Sequence, residues 1–170
     1  LAGEPSLIQV ANTGLIPGNA TTEMTLNTNL DAKEPKLDIA LFDITDPTTY
    51  NYSSSIQVFD TLGNPQLLTT YFIRIDDPAG VEENMWRAAW SAEKDDGSGA
   101  VMQGFFADDL IFTEDGKLQG AAQDPPVETF GDIAAADLDW NNGTTPTGLT
   151  VTFETTQFNS DSAVISQNQN

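Results

Sequence analysis

The chain has 170 residues, of which 39% are hydrophobic, and its 26 acidic against 6 basic residues give a formal net charge of −20. This length fits one domain, or one domain with a small annex, and the hydrophobic content is sufficient for a core. Cysteine and histidine are both absent, which excludes disulfides, thiolate nucleophiles, zinc sites built from His and Cys, and every Ser-His-Asp arrangement.

The basic residues are too dispersed to form a nucleic-acid surface, which needs clustered Lys and Arg to displace counterions. An anionic membrane surface is excluded for the same reason. We interpret the acidity as a solvated surface, with adaptation to saline surroundings and divalent-cation binding as the alternatives. The six basic residues are Lys33, Lys36, Arg74, Arg87, Lys94 and Lys117.

The sequence contains no targeting or membrane segment that can be recognised. No run approaches the roughly 18 to 20 apolar residues of a membrane helix, and no basic-then-apolar signal peptide opens the chain. The first residue is Leu1 rather than Met, and residues 167–170 are all polar. We therefore expect the chain to be an excised piece of a longer protein.

The N-terminal part of the chain predicts one strand between irregular segments. Residues 1–20 hold a short apolar run broken by Gly and Pro, and we interpret them as a strand end and a linker. Apolar and polar residues then alternate over residues 21–31, which is typical of a half-buried strand. Residues 43–50, which include Asp46-Pro47, are interpreted as a loop.

The clearest local signal is a β-hairpin over residues 52–75. Two runs rich in β-branched and aromatic residues flank a turn at residues 60–64. Gly63 and Asn64 tolerate positive φ there, and Pro65 has no N–H to donate. The second arm is apolar on both faces over residues 67–75, so we predict a central strand that is covered on both sides.

Residues 81–94 give two conflicting signals. Their composition is helical, and several apolar residues fall at helical spacing. Trp86, Ala88 and Trp90 nevertheless alternate as they would along a strand. Local rules alone favour a helix.

The remaining chain predicts two more strands among loops. In chain order, the elements are a flexible tip at 95–99, a strand at 110–118 that enters an Asp-Gly turn, a loop at 120–131, one helical turn at 133–138, and a last strand at 148–153.

Three pairs of adjacent acidic residues are the candidates for chemistry. A glycosidase needs two carboxylates that face each other across a cleft, and with 26 acids such pairs arise by chance. Residues 95–99 are the nearest calcium candidate, but they lack the alternating Asp spacing and the closing Glu of a calcium loop. We predict no catalytic residue, no cofactor and no metal. The pairs are Asp76-Asp77, Asp95-Asp96 and Asp108-Asp109.

Two further patterns are also interpreted structurally. Asn-x-Ser/Thr triplets begin at Asn19, Asn51 and Asn142, and their number is expected by chance in a chain rich in Asn and Thr. Three tryptophans could form a sugar-stacking platform, but aromatic residues in β domains mostly supply buried area. We expect Trp86, Trp90 and Trp140 in the core.

The spacing of strands and turns predicts the fold class. Short strands recur at intervals of roughly ten residues, separated by Gly, Pro, Asn and Asp turns. We predict an all-β fold, a small antiparallel β-barrel or sandwich-like domain with long loops. The residues alone indicate an extracellular-type β module that is not an enzyme.

Three segments together resemble the bacterial flagellar hook protein family, in the domain inserted into its outer half. They are residues 21–32, residues 46–72 with the turn Asp60-Thr61-Leu62-Gly63-Asn64, and the turn Gly116-Lys117-Leu118. The resemblance spans residues 20–158. It implies a strand at residues 81–94, and we predict that strand because tertiary pairing often overrides helix propensity.

The resemblance implies a mechanical function: a subunit of the hook, a self-assembling tube outside the cell that couples the rotary motor to the filament. The implied partners are copies of the same protein in a helical assembly, and other flagellar axial proteins bound through parts that this chain lacks. Residues 1–20 would join a neighbouring inner domain, residues 21–157 would form the outer β domain, and residues 158–170 would return to the inner domain. Subunit-contact residues are not implied, because contacts fall in variable loops.

Two rival functions remain open at this point. One is the β-domain of a secreted adhesin or carbohydrate-binding module, and the other is an acidic secreted hydrolase. Heptad-patterned helices at both ends of the full protein would indicate a flagellar axial protein. A cell-wall anchor or a catalytic domain in the adjoining sequence would exclude it.

Overall fold

The computed structural model describes residues 18–80, 82, 84–119, 128–158 and 162–169. These residues form eight strands and one 3-10 turn, Ile39–Leu41. The strands are β1 (Glu23–Asp31), β2 (Tyr52–Phe59), β3 (Pro65–Ile75), β4 (Met85–Glu93), β5 (Val101–Ile111), β6 (Glu128–Ile133), β7 (Leu149–Phe158) and β8 (Ala163–Gln169).

The strands form two sheets of four. The first sheet has the order β6-β7-β1-β8, and the second has the order β2-β3-β4-β5. The second sheet is an antiparallel meander, since its consecutive strands pair with each other. In the first sheet β1 pairs parallel with β7 and antiparallel with β8. All four strands of the second sheet lie between β1 and β7 in the sequence. They form part of the long crossover connection that two parallel strands require.

The two sheets share one aromatic core. β1 contributes the alternating residues Met24 and Leu26, as its sequence pattern predicts. Phe153 of β7 contacts the rings of Phe72 and Phe106 edge-on, with centroids 5.7 and 5.4 Å apart. Edge-on packing suits the charge distribution of aromatic rings. The all-β class is confirmed, and in the described part of the chain the two sheets stay open rather than closing into the barrel alternative.

The hairpin and the strand at residues 81–94 are confirmed. β2 and β3 pair in register from Tyr52–Phe72 to Phe59–Pro65. β4 occupies residues 85–93 and is hydrogen-bonded on both sides, to β3 and to β5. Trp86, Ala88 and Trp90 all face the core. Pairing on two edges therefore overrides the helical composition.

A segment of residues 32–51, which we call the strap, covers part of the outer face of the second sheet. It packs Leu37, Ile39, Phe42, Ile44 and Tyr50 against a second hydrophobic cluster. That cluster includes Tyr71, Ile73 and Ile75 of β3. The double coverage predicted for β3 is therefore correct over residues 71–75. It is wrong at Leu67, which is 60% exposed.

Three strands were not predicted as such from the sequence. The interpretation of residues 120–131 as a loop is wrong over residues 128–131, which belong to β6, because pairing with β7 makes that segment a strand whatever its local turn signals. β5 begins at Val101, whereas the sequence predicts a strand only from residue 110, because the first half of β5 has neither a clean alternation nor a turn signal at its start. The strand at 148–153 is not the last one, because β8 follows it and pairs with β1. β8 is rich in Ser, Gln and Asn, and its strand structure comes from this pairing. The domain boundaries at residues 20 and 157 stay a prediction.

The remaining local predictions fall into two groups. Residues 134–138 form a single turn, in which the Leu138 amide donates to the Ala134 carbonyl at 3.2 Å. The apolar run at residues 7–10 and residues 120–127 of the loop predicted at 120–131 lie outside the described residues.

Candidate functional site

The predicted turn at residues 60–64 is built around a buried carboxylate. Asp60 is 2% exposed. Its Oδ1 accepts the backbone amides of Leu62 and Asn64, both at 2.9 Å. Its Oδ2 accepts the side-chain amides of Asn64 and Asn142, also at 2.9 Å. Burial acts to raise the pKa of Asp60, but the hydrogen bonds from Asn64, Asn142 and Leu62 outweigh it and lower that pKa.

Asn142 connects this turn to the tip of the neighbouring hairpin. Its amide nitrogen also donates to Asp95 Oδ2 at 3.1 Å, and Gln66 donates to the same oxygen at 3.1 Å. The Asp95 amide donates in turn to the Trp140 carbonyl at 2.9 Å. Three segments that are distant in sequence are thus held together at one end of the molecule. No local sequence pattern predicts these contacts, because Asn142 lies 82 positions from Asp60 and 47 positions from Asp95 in the chain.

The calcium candidate at residues 95–99 forms the turn between β4 and β5. The Lys94 amide donates to the Ala100 carbonyl at 2.8 Å and closes it. Hydrogen bonds from Ser98 and Asn141 lower the pKa of Asp96 to about 2. Both oxygens of this carboxylate therefore accept hydrogen bonds from the protein. Among the described residues, no three His, Cys, Asp or Glu side chains are grouped to hold a metal ion. That the chain binds no metal stays a prediction.

The other two acidic pairs stabilise local structure. Asp76 lies 2.8 Å from the ammonium of Lys36. Asp77 accepts the backbone amides of Ala79 and Glu82. Asp109 receives two hydrogen bonds from the Arg87 guanidinium on the adjacent strand. These contacts do not provide the opposed, free carboxylates of a hydrolase cleft.

All three tryptophans are buried, as expected. Trp86, Trp90 and Trp140 are 0%, 4% and 4% exposed. A sugar-stacking platform needs an accessible aromatic face. These side chains provide none.

The strap is fixed to the second sheet by one guanidinium. Arg74 Nη1 donates to the carbonyls of Ala32 and Glu34, both at 2.7 Å. The Asn51 side chain accepts the Arg74 amide at 2.6 Å and donates to the Pro35 carbonyl at 2.9 Å. Both ends of the strap are therefore tied to one residue of β3.

The outward side of the strap forms an open depression of about 380 Å³. Its lining includes Leu37 and Leu41 together with three aspartates. Each aspartate accepts the amide of the residue two positions later, as in an Asx turn. Hydrogen bonds from Thr45 and Thr48 lower the pKa values of Asp43 and Asp46 respectively. We interpret the depression as a set of solvated turns.

Beyond the strap, no described segment of the chain covers the outer face of the second sheet. Three of the large hydrophobic side chains that are exposed among the described residues lie on it: Leu67 (60%), Val101 (48%) and Phe105 (48%). We call these three residues, with their exposed or half-buried polar neighbours Gln57, Thr69 and Gln103, the outer patch. The outer patch could not be predicted from the sequence, because alternation marks which residues share a face but not where the covering segment ends.

The strap and the outer patch are continuous. The Phe42 ring of the strap lies 5.4 Å from the Phe105 ring, centroid to centroid. Leu41, next to Phe42 in the chain, is 68% exposed. An apolar surface thus extends from the edge of the strap onto the sheet. It is the strongest candidate for an interaction surface in the described part of the chain.

The family model and the curated relatives that this chain matches are all flagellar proteins. Residues 26–170 match the family described as the Flagellar basal body protein FlaE D2 domain. The flagellar hook protein FlgE of Escherichia coli K12 is 30% identical over 73 residues, which are 43% of this chain and 18% of that protein. FlgE of Salmonella typhimurium LT2 is 29% identical over a stretch of the same length. The chain therefore spans a minor part of the curated relatives it matches.

A solved structure of a related fragment is also similar. It is the 32 kDa fragment of the hook protein FlgE from Caulobacter crescentus, with a TM-score of 0.44 and 20% identity, and the match covers 79% of this chain and 52% of that fragment. In the described ranges of the present chain, no helix has the length and apolar character that a membrane crossing requires.

Proposed function

Because this chain belongs to the FlaE D2 domain family of flagellar basal body proteins, we propose that it is a structural part of a bacterial flagellar hook subunit. The observation that carries the proposal is the extent of the family match, residues 26–170, which takes in nearly all of both sheets. The complete protein would assemble with copies of itself into a helical tube outside the cell. That tube would transmit motor torque to the filament.

The architecture suits a load-bearing role. Two sheets share one core that contains large, fully buried side chains from both, including Trp86, Phe72 and Phe153. The tips of two hairpins are joined by the hydrogen bonds of Asn142. Close packing and a satisfied polar network resist deformation. Proteins of this family are structural rather than enzymatic.

The rest of the polypeptide would supply the remaining contacts. We propose that residues 1–20 and 158–170 connect this β domain to an inner domain, and that other flagellar axial proteins bind through parts outside this chain. β8 would then be the first part of the return path, paired with β1 before the chain leaves the domain. The isolated chain should be monomeric at micromolar concentration. The adhesin or carbohydrate-binding alternative is not favoured, since the tryptophans it needs are buried.

The test is to locate the full-length protein on the cell. A short epitope inserted between Gly97 and Ser98, at the exposed turn between β4 and β5, should leave the fold intact. Immunogold electron microscopy should then label the short curved hook between the cell body and the filament. Label on the filament or over the general cell surface, with unlabelled hooks, would refute the proposal.

A further inference from the structure

We infer that Asn142 is a site of spontaneous modification, where the backbone nitrogen of Gly143 displaces the side-chain amide and leaves aspartate or isoaspartate in its place. Asn142 is the only asparagine in the sequence that is followed by a glycine. It also begins one of the three Asn-x-Ser/Thr triplets, which the proposed function does not use. The inference is independent of that function, because it concerns the chemistry of the chain itself.

The reaction is the hydrolysis of one amide in two steps. The Gly143 nitrogen loses its proton to solvent, attacks Cγ of Asn142 and forms a five-membered succinimide ring. The bond from Cγ to Nδ2 breaks, and the nitrogen leaves as ammonia with a proton taken from water. Water then opens the ring at either carbonyl group. A covalent intermediate thus replaces one difficult step by two easier ones, with one water consumed and one ammonia released.

The attacking nitrogen is accessible. Gly143 is exposed, and its amide donates to no other described residue. Glycine has no side chain to shield the nitrogen, and no atom lies within 4 Å of its Cβ position. Asn142 Oδ1 accepts the Thr144 amide at 3.2 Å, in an Asx turn that folds the side-chain carbonyl over the Gly143 peptide. The electrophilic carbon is therefore held beside the nitrogen.

Two donors polarise the side-chain carbonyl of Asn142. The Thr144 hydroxyl donates to Asn142 Oδ1 at 2.6 Å, in addition to the bond from the Thr144 amide. Negative charge develops on this oxygen when the nitrogen attacks Cγ, and donors fixed at such a position stabilise the transition state. The folded chain thus maintains an arrangement that a peptide of the same sequence adopts only transiently.

Two carboxylates surround the leaving group. Asn142 Nδ2 lies 2.9 Å from Asp60 Oδ2 and 3.1 Å from Asp95 Oδ2. This nitrogen gains positive charge before its bond to Cγ breaks, and neighbouring negative charges stabilise that form. The same oxygens also bind the unreacted amide, but a carboxylate bonds more strongly to an ammonium group than to a neutral amide.

The product removes the connection that Asn142 provides. A carboxylate replaces the two amide donors, and it faces the carboxylates of Asp60 and Asp95 instead of binding them. Like charges at this separation repel each other. Isoaspartate in addition lengthens the main chain by one methylene group. Conversion of a single residue therefore loosens the end of the sandwich at which three distant segments meet.

The experiment follows the conversion of Asn142 by tandem mass spectrometry. Chymotrypsin releases residues 141–149, which follow Trp140 and end at Leu149. The rate is measured in the folded full-length protein and in a synthetic peptide of residues 136–149, at the same pH and temperature. Thr144→Val removes the hydroxyl donor and keeps the shape of the side chain. Thr145→Val is the matched control, because Thr145 is exposed in the same loop.

We expect the folded protein to convert Asn142 at least as fast as the peptide does. Thr144→Val should slow conversion in the folded protein by about threefold to tenfold, the range that one hydrogen bond supplies. Thr145→Val should leave the rate unchanged, and the unfolding temperature shows that each variant is folded. Slower conversion in the folded protein than in the peptide, or equal rates for the two variants, would overturn the inference.

A second measurement tests the structural consequence. Asn142→Asp reproduces one product of the reaction and should lower the unfolding temperature by roughly 4 °C or more. Gln57→Glu is the control, since it makes the same change from amide to carboxylate at an exposed position of β2. If both variants lower the unfolding temperature equally, conversion of Asn142 does not loosen this end of the sandwich, and that part of the inference is refuted.

Discussion

Asp60 is the residue on which the end of the sandwich most depends. Four donors, two of them side-chain amides, converge on a carboxylate that is 2% exposed. A charged acceptor strengthens each bond, and removing it leaves several buried donors without a partner. The acidity of the chain as a whole favours solubility, but this carboxylate has a specific structural role.

Asp60→Asn should destabilise the chain by about 1–3 kcal/mol at pH 7, because an amide cannot accept at both positions. The pKa of Asp60 is lowered in the folded state, so its stabilisation is present above the unfolded pKa of about 4 and is lost as pH falls through the folded pKa. The stability difference between wild type and variant should therefore shrink in acid. Urea unfolding at several pH values measures it.

The control for this substitution is Asp108→Asn, which removes one charge at an exposed position of β5. Removing any one negative charge reduces the repulsion among the acidic residues of this chain, and Asp108→Asn measures that general effect on stability. A constant difference between Asp60→Asn and wild type down to pH 2 would contradict the proposed role of the ionised carboxylate.

Gly63 is constrained by its backbone and by its neighbour. Its φ is 80°, and a Cβ at this position would lie 3.1 Å from the Cα of Gly18. Gly63→Val should destabilise the chain by about 1–3 kcal/mol, the range for a non-glycine residue held at positive φ, with crowding added. Thermal unfolding is the measurement.

Two alanine variants separate the two causes. Gly97 has a φ of 74° with no atom near its Cβ position, so Gly97→Ala reports backbone strain alone. Gly63→Ala adds the contact with Gly18 and should cost more. If the two variants lose the same stability, the backbone at Gly18 moves away from the new Cβ without a measurable cost.

At the scale of elements, the strap depends on Arg74. Arg74→Met keeps an apolar stem but removes both donors to the strap carbonyls, and should cost about 2–3 kcal/mol. Hydrogen exchange should accelerate across residues 32–51 more than in β4 or β7. The Leu37 amide, bonded to the Arg74 carbonyl at 2.8 Å, is a direct reporter.

The matched control is Lys36→Met, which breaks the exposed ion pair with Asp76. Surface pairs contribute at most about 1 kcal/mol, so this variant should leave exchange in the strap nearly unchanged. If both variants have the same effect, the strap is held by its apolar side chains and not by the guanidinium.

For the whole molecule, the charge of −20 is the dominant property. Neighbouring copies repel unless counterions screen them, and the Debye length falls from about 8 Å at 0.15 M salt to about 3 Å at 1 M. The dissociation temperature of assembled hooks should therefore rise with sodium chloride. A chelator at constant ionic strength should have no effect. Abrupt dissociation on chelation would indicate a specific divalent site, and no response to salt would mean that the acids face away from every neighbour.

The all-β class, the β2–β3 hairpin and its turn at residues 60–64 follow from the amino-acid sequence alone. These features depend on neighbouring residues: alternation along one strand, and glycine where φ must be positive. The burial of all three tryptophans also follows from the sequence, because large aromatic side chains in a chain of this length belong in its core. For residues 81–94, helix propensity was wrong, and the strand was indicated by the alternation of Trp86, Ala88 and Trp90 together with the family resemblance.

How these parts are combined depends on contacts between residues that are distant in the sequence. The parallel pairing of β1 with β7 joins Glu23 to Thr150, and no local pattern encodes a partner so distant. β8 is a strand because β1 offers it an edge. The strap covers Tyr71 but not Leu67, although both lie on the same face of β3. The outer patch exists because burial depends on where a separate segment ends, and hydrophobicity along a strand carries no information about that.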